Sequence, residues 1–169
     1  MADKVQPRMD ESLKLVEETT DCIRGVMADL RSPVLDDYGL VAALQWYGAR
    51  FARRTGIEVT VKGEPLTPRL SPQIENTMFR IAQEALTNVA KHANATQAEV
   101  TVEEANRLVR LRVSDNGMGF DPELLSSPCE EWGWGLLTIS EWAEASGGRC
   151  DIDSALGTGT RIIVELSRS

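Results

Sequence analysis

The chain has 169 residues, 42% of them hydrophobic, and its 18 Lys and Arg against 26 Asp and Glu give a formal net charge of −8. That length holds one ordinary domain with a real core and one extra helix. Basic residues nowhere cluster as a nucleic-acid partner demands, the longest uninterrupted apolar run is Leu40 to Leu44, and no basic, apolar and small-residue order opens the chain. Nucleic acid, a membrane span and a secretory leader are therefore not expected. Cys22, Cys129 and Cys150 are odd in number and lack metal-type spacing, which points to a reducing cytoplasm rather than a disulfide framework.

In chain order, residues 10 to 31 place Leu13, Val16, Thr20, Ile23, Met27 and Leu30 three and four apart, the seam of a coiled coil. Pro33 stops that helix, and Asp36 or Asp37 is expected to cap a second one, with Leu40, Leu44, Tyr47 and Phe51 inward and its end at Gly56. A strand from Ile57 to Val61 precedes a long helix from Ser71 to Ala93, whose buried stripe is Ile74, Met78, Ile81, Ala85 and Val89. Glu99–Glu103 and Leu108–Val113 alternate in period two around Glu104-Ala105-Asn106, as a hairpin does. Residues 120 to 132, rich in Ser, Pro and Glu, predict a mobile lid. A last helix from Leu136 to Ser146 leads through Gly147-Gly148 into strands Cys150–Ser154 and Arg161–Leu166. Strands punctuated by amphipathic helices predict a two-layer α/β sandwich, a mixed sheet with helices on one face.

Chemistry gathers in two places. Asp115 closes a strand, and Gly117 and Gly119 follow at once. A carboxylate accepts without a proton of its own and suits the exocyclic amine of adenine, while the glycines allow positive φ and close main-chain approach. On the long helix Glu84, Asn88 and Lys91 or His92 recur three and four apart on one face, opposite the apolar stripe. The amide oxygen of Asn88 is a hard, neutral ligand for Mg²⁺, and Lys91 offers a point charge to phosphate. Gly133 and Gly135 bracket the start of the last helix, where free N–H groups and the helix dipole favour phosphate.

Four blocks in order carry a resemblance: Phe79 to Ala93, Asp115 to Gly119, Gly133-Trp134-Gly135-Leu136-Leu137, and Gly157-Thr158-Gly159-Thr160. They resemble the nucleotide boxes of the ATPase superfamily that unites gyrase, ATP-driven chaperones, mismatch-repair proteins and sensor histidine kinases, over roughly residues 70 to 167. A fifth block, Leu30 to Leu44, looks like the junction between dimerisation helix and catalytic domain in the nitrate-sensor-like class of histidine kinases. The sequence departs from that pattern in Trp134, where leucine is usual, and in Ile139-Ser140-Glu141-Trp142, which lacks two usual arginines.

The resemblance implies a Bergerat-type ATP-binding fold over residues 33 to 169, preceded in residues 1 to 32 by a coiled-coil-like second dimerisation helix. It assigns Asn88 to Mg²⁺, and Glu84 to polarising the attacking group or a metal-bound water. Lys91, His92, Gly133, Gly135 and Leu136 fall on the phosphate side, and Thr160 helps Asp115 hold adenine through water. His92, the one histidine, is then no phosphoacceptor, and the chain is expected to begin after the acceptor helix. The implied activity is transfer of the γ-phosphoryl of Mg-ATP to a histidine on a dimerisation helix, for relay to a response-regulator receiver domain, in a cytoplasmic catalytic part of a homodimeric kinase. An anti-sigma-type serine kinase shares the boxes but leaves the seam and the junction unexplained. A nucleotide-gated dimerisation clamp normally needs a further transducer domain.

Overall fold

The computed structural model describes residues 33–121 and 133–168. The seam expected over residues 10 to 31 and the lid, beyond Phe120 and Asp121, lie outside the described residues. Pro33 opens a short helix, α1 (Pro33–Tyr38), because proline is tolerated at a first helical position, where its missing N–H costs nothing. Asp36 and Asp37 are consequently inside α1 and cannot cap α2 (Leu40–Thr55), as had been expected. Gly39 takes that place with φ 81° and ψ 179° and no side-chain cap. The end of α2 at a left-handed Gly56 is as expected.

Strand β1 (Glu58–Lys62) leads to α3 (Pro72–Asn88), whose N-cap Ser71 accepts from the N–H of Ile74 at 3.4 Å. The expected continuous helix to Ala93 instead relaxes into a π-helical turn, Val89–Ala93, that ends on a left-handed Asn94. Then come β2 (Gln97–Ala105), β3 (Leu108–Asp115), α4 (Gly133–Ala145), β4 (Arg149–Ala155) and β5 (Gly159–Ser167). The β2–β3 hairpin turns on Asn106 and Arg107, both at positive φ, one residue later than the alternation suggests. Helix α4 begins at Gly133, three residues before its expected start.

The five strands form one sheet in the order β1-β2-β3-β5-β4. Only β1 and β2 run parallel, as strands joined through a crossover helix must be able to do, so the sheet is mixed as expected. Alternation divides its faces. Val100, Val109, Leu111, Val164 and Leu166 are at most 1% exposed and pack with Met78, Ile81, Leu86 and Ile139 of α3 and α4 in one core. The intervening positions carry charge: Glu103 pairs with Arg112, and Glu165 is held between Arg110 and Arg149.

One arginine ties the loop before α3 to α1. The Arg69 guanidinium donates to both oxygens of buried Glu75, on α3, and to the carbonyls of Leu35 and Asp36. The Leu35 carbonyl also accepts from the Gly39 N–H at 3.1 Å, so Arg69 adds a second donor at the end of α1, where helical carbonyls run short of partners. This fixes where α3 starts, and α3 carries Glu84 and Asn88.

Candidate functional site

The end of β3 meets the π-helical turn of α3, and the meeting is specified by backbone contacts. Met118 donates its N–H to the Ala93 carbonyl at 2.7 Å. A β-carbon on Gly117 would stand 2.2 Å from that carbonyl oxygen, so only glycine lets the loop sit against the turn. Gly117 is thus needed for close approach to protein backbone rather than for a positive φ. Gly119 does have positive φ, +60°, and a β-carbon there would meet the Ala155 carbonyl at 2.1 Å. Asn116 fastens the other side of the loop, its Oδ1 accepting from the N–H of both Thr96 and Gln97 at 3.0 Å.

These contacts hold the Asp115 carboxylate at the mouth of a slot lined by Ala85, Asn88, Val89, His92, Val113, Phe120, Leu136, Thr160 and Ile162, among others. Oδ1 of Asp115 accepts from the Gly117 N–H at 2.8 Å, and the Thr160 backbone N–H bonds the same carboxylate. Burial nonetheless raises its pKa above the ordinary value, because desolvation outweighs those two donors. A partly desolvated acceptor at the end of an apolar slot fits the edge of a flat heterocycle bearing an amine.

Asn88, His92, Asp115, Gly119, Leu136 and Thr160, all expected at the site, come together here. Lys91 is exposed on the π-helical turn and does not line the slot. Glu84 lies beyond Asn88: a β-carbon on Gly135 would come within 2.7 Å of both Glu84 Oε1 and Asn88 Oδ1, so the first turn of α4 covers this polar pair. The slot also takes Ala85 and Val89 from the stripe that was expected to face away from it, because it lies at the border between the two helix faces. Sequence reasoning missed Phe120 as a wall and Ser154 as a buried support. The Ser154 hydroxyl accepts from the Phe120 N–H at 3.0 Å and lies 3.0 Å from Thr160 Oγ1. Alternation along β4 could have placed Ser154 inward, but an inward serine carries no signal of its partners.

The pair at Asn88 suits a magnesium ion. Asn88 Nδ2 is buried without a hydrogen-bond partner, and a buried amide with an unspent end is costly unless a ligand uses the group. Turning the amide about its bond presents oxygen in the same place. Magnesium takes one or two protein oxygens and fills its remaining positions with phosphate and water, which Asn88 beside Glu84 would allow. Among the described residues, no three His, Cys, Asp or Glu gather into a metal-holding group.

Residues 73–169 match the family described as histidine kinase-, DNA gyrase B-, and HSP90-like ATPases. The chain belongs to this ATPase family. Among curated relatives, the sensor histidine kinase MctS of Rhizobium johnstonii is 37% identical over 125 residues, covering 70% of this chain and 27% of its own length. The histidine-protein kinase/phosphatase DegS of Brevibacillus brevis is 33% identical over 153 residues, covering 90% of this chain and 39% of its own length. The chain therefore spans well under half of either relative. The histidine kinase domain of a blue-light activated kinase from Erythrobacter litoralis superposes with a TM-score of 0.64 at 19% identity, over 76% of this chain and 65% of that one. Full-length ShkA in complex with AMPPNP gives 0.61 at 23% identity, over 78% and 30%. These structures share the fold, and both curated relatives are named as histidine kinases.

Proposed function

We propose that this ATPase-family domain binds Mg-ATP in the Asp115 slot and transfers the γ-phosphoryl group to a histidine on a dimerisation helix of the same kinase. The observation that carries this reading is the pairing, in the lining of one apolar slot, of a half-buried acceptor, Asp115, with Asn88, whose amide Nδ2 is buried without a hydrogen-bond partner. The separation of roles follows the chemistry of ATP. Ala85, Val89, Val113 and Ile162 sandwich the base, Asp115 accepts its amine, and Thr160 assists through water. His92 and the free N–H groups at the start of α4, at Gly133 and Gly135, face the phosphates, where the helix dipole favours negative charge. Lys91 adds charge from the rim.

Bound magnesium supplies charge neutralisation across the phosphate oxygens. Asn88 would hold it, and Glu84 would orient the attacking imidazole or a bound water. Phosphoryl transfer asks the protein mainly for position and charge, so no covalent enzyme intermediate is needed. Phosphohistidine formed in this way is relayed to a response-regulator receiver domain, with the kinase acting as a homodimer in the cytoplasm.

Mixing the chain with Mg-ATP and a separate acceptor-helix fragment tests the proposal. Acid-labile phosphate should appear on the fragment. Glu84→Ala should bind ATP and lose transfer, because its role arises at the transition state. Asn88→Ala should lose the magnesium dependence of nucleotide binding. Transfer by Glu84→Ala at the rate of the unaltered protein would remove Glu84 from the chemistry.

A further inference from the structure

Ser154 lies on β4, faces inward and is 6% exposed. Three partners surround its hydroxyl: the Phe120 N–H at 3.0 Å, the Gly159 carbonyl at 3.1 Å and Thr160 Oγ1 at 3.0 Å. A serine hydroxyl has one proton to give and two lone pairs to offer. Phe120 N–H can only donate, so it takes one lone pair. The Gly159 carbonyl can only accept, so it takes the proton. The remaining lone pair then faces Thr160, whose own hydroxyl proton must point to Ser154.

The direction of that proton has a consequence inside the slot. Thr160 Oγ1 spends its hydrogen inward and presents only lone pairs to the pocket. The Thr160 backbone N–H is meanwhile occupied by the Asp115 carboxylate. Two groups at the polar end of the slot, Asp115 and Thr160, are therefore both acceptors, although a threonine alone could have been either.

We propose that Ser154 is a specificity-determining positioning residue: by fixing the Thr160 hydroxyl as an acceptor beside Asp115, it makes the slot select a 6-aminopurine nucleotide over a 6-oxopurine one. This rests on the reading of the slot as the ATP site. A 6-oxo group places a third acceptor beside the first two, and with the Thr160 proton turned inward the water that links Thr160 to the base must give one of its protons to Thr160 and has one fewer for the 6-oxo group. Ser154 touches no ligand; it acts through Thr160, its register partner across β4 and β5.

The test compares ATP with inosine triphosphate, which carries a 6-oxo group in place of the amine, by calorimetric affinity on the full chain. The unaltered protein should prefer ATP strongly. In Ser154→Ala, the Thr160 hydroxyl is free to turn and donate to the bridging water, which can then give its proton to a 6-oxo group, and the preference should fall about five- to tenfold, the worth of one hydrogen bond. In a Thr160→Val background, Ser154→Ala should leave the preference unchanged, a coupling that loosened packing alone would not produce. Ser154→Thr keeps the hydroxyl and should keep the preference. Should the alanine variant fail to fold, Ser154→Cys fills the same space with a weak bonding group and should show the same loosening. An unchanged ATP preference in Ser154→Ala or Ser154→Cys, or an equal change with and without Thr160, would overturn the inference. A failure of the unaltered protein to discriminate at all would instead strike the ATP-site reading itself.

Discussion

Asn116 and Thr96 are joined twice: Asn116 Oδ1 accepts from the Thr96 N–H at 3.0 Å, and Asn116 Nδ2 donates to Thr96 Oγ1 at 2.9 Å. The neighbouring Asp115 inherits its position from this clasp, which pins the end of β3 to the start of β2. Asn116→Ala should cost about 1 kcal/mol of stability, since these bonds are solvent-exposed. It should weaken ATP binding several-fold without abolishing it. Denaturant unfolding and calorimetry on the same variant check both halves.

Asp115 should set a conflict between stability and binding. Its folded pKa is raised, mainly by burial, so the stability associated with its neutral form is fully present below the unfolded value and is lost as pH rises through the folded one. Asp115→Asn should therefore be more stable than the unaltered protein at neutral pH, with the advantage fading on acidification. ATP binding runs the other way. Loss of a charged acceptor costs about 1.5 to 3 kcal/mol, or roughly tenfold to 150-fold in affinity, and the unaltered protein should itself lose affinity as pH falls through the raised pKa. Equal ATP affinity in the two proteins would end the adenine assignment.

Gly135→Ala should separate folding from chemistry. Alanine favours the helix by up to about 1 kcal/mol, yet its β-carbon would stand 2.7 Å from Glu84 Oε1 and Asn88 Oδ1 and push both side chains aside. The thermal midpoint should hold or rise. Phosphoryl transfer should fall by about a hundredfold, the usual penalty for an ångström of misplacement. A variant that is both stable and fully active would show that the polar pair does not need its present position.

Glu165 should contribute on the far side of the sheet. Hydrogen bonds from Arg110, at 2.7 Å, and Arg149, at 2.6 Å, lower its pKa against the opposing effect of burial. The stability from a lowered carboxylate is present above the ordinary value and lost as pH falls through the folded one. Glu165→Gln should cost about 1 kcal/mol at neutral pH, a modest figure because both arginines are largely exposed. The difference between the two proteins should shrink in acid, which thermal melts at several pH values would reveal.

Much of this site was legible in the residue order, and the reason is local. Asp115 followed by glycines, and Glu84 and Asn88 four apart on a helix, are short-range patterns whose geometry follows from strand and helix periods. Three features were not. The π-helical turn at Val89–Ala93 depends on a contact between Ala93 and Met118, which are 25 positions apart, and no helical period announces it. The short helix that Pro33 opens was not foreseen, because nothing local shows that Leu35 would be buried in the core and hold it there. Ser154 owes its place to Gly159 and Thr160 at the start of β5 and to Phe120, 34 positions earlier in the chain. Long-range agreements of this kind are made by the folded chain as a whole, so they leave no local mark.

The sheet ends in β1 on one side and β4 on the other. Among the described residues each leaves unpaired a row of backbone groups to which a neighbouring molecule's strand could add, the usual opening step of aggregation. Both rows are guarded by charge: Glu58 and Lys62 on β1, and Arg149, Asp151 and Asp153 on β4, all exposed. A second copy aligning along β4 in antiparallel fashion would bring aspartates near aspartates and strip water from them. The residues that oppose such strand addition are thus spread along the sheet's margins, outside the lining of the slot, where no assay of nucleotide binding would find them.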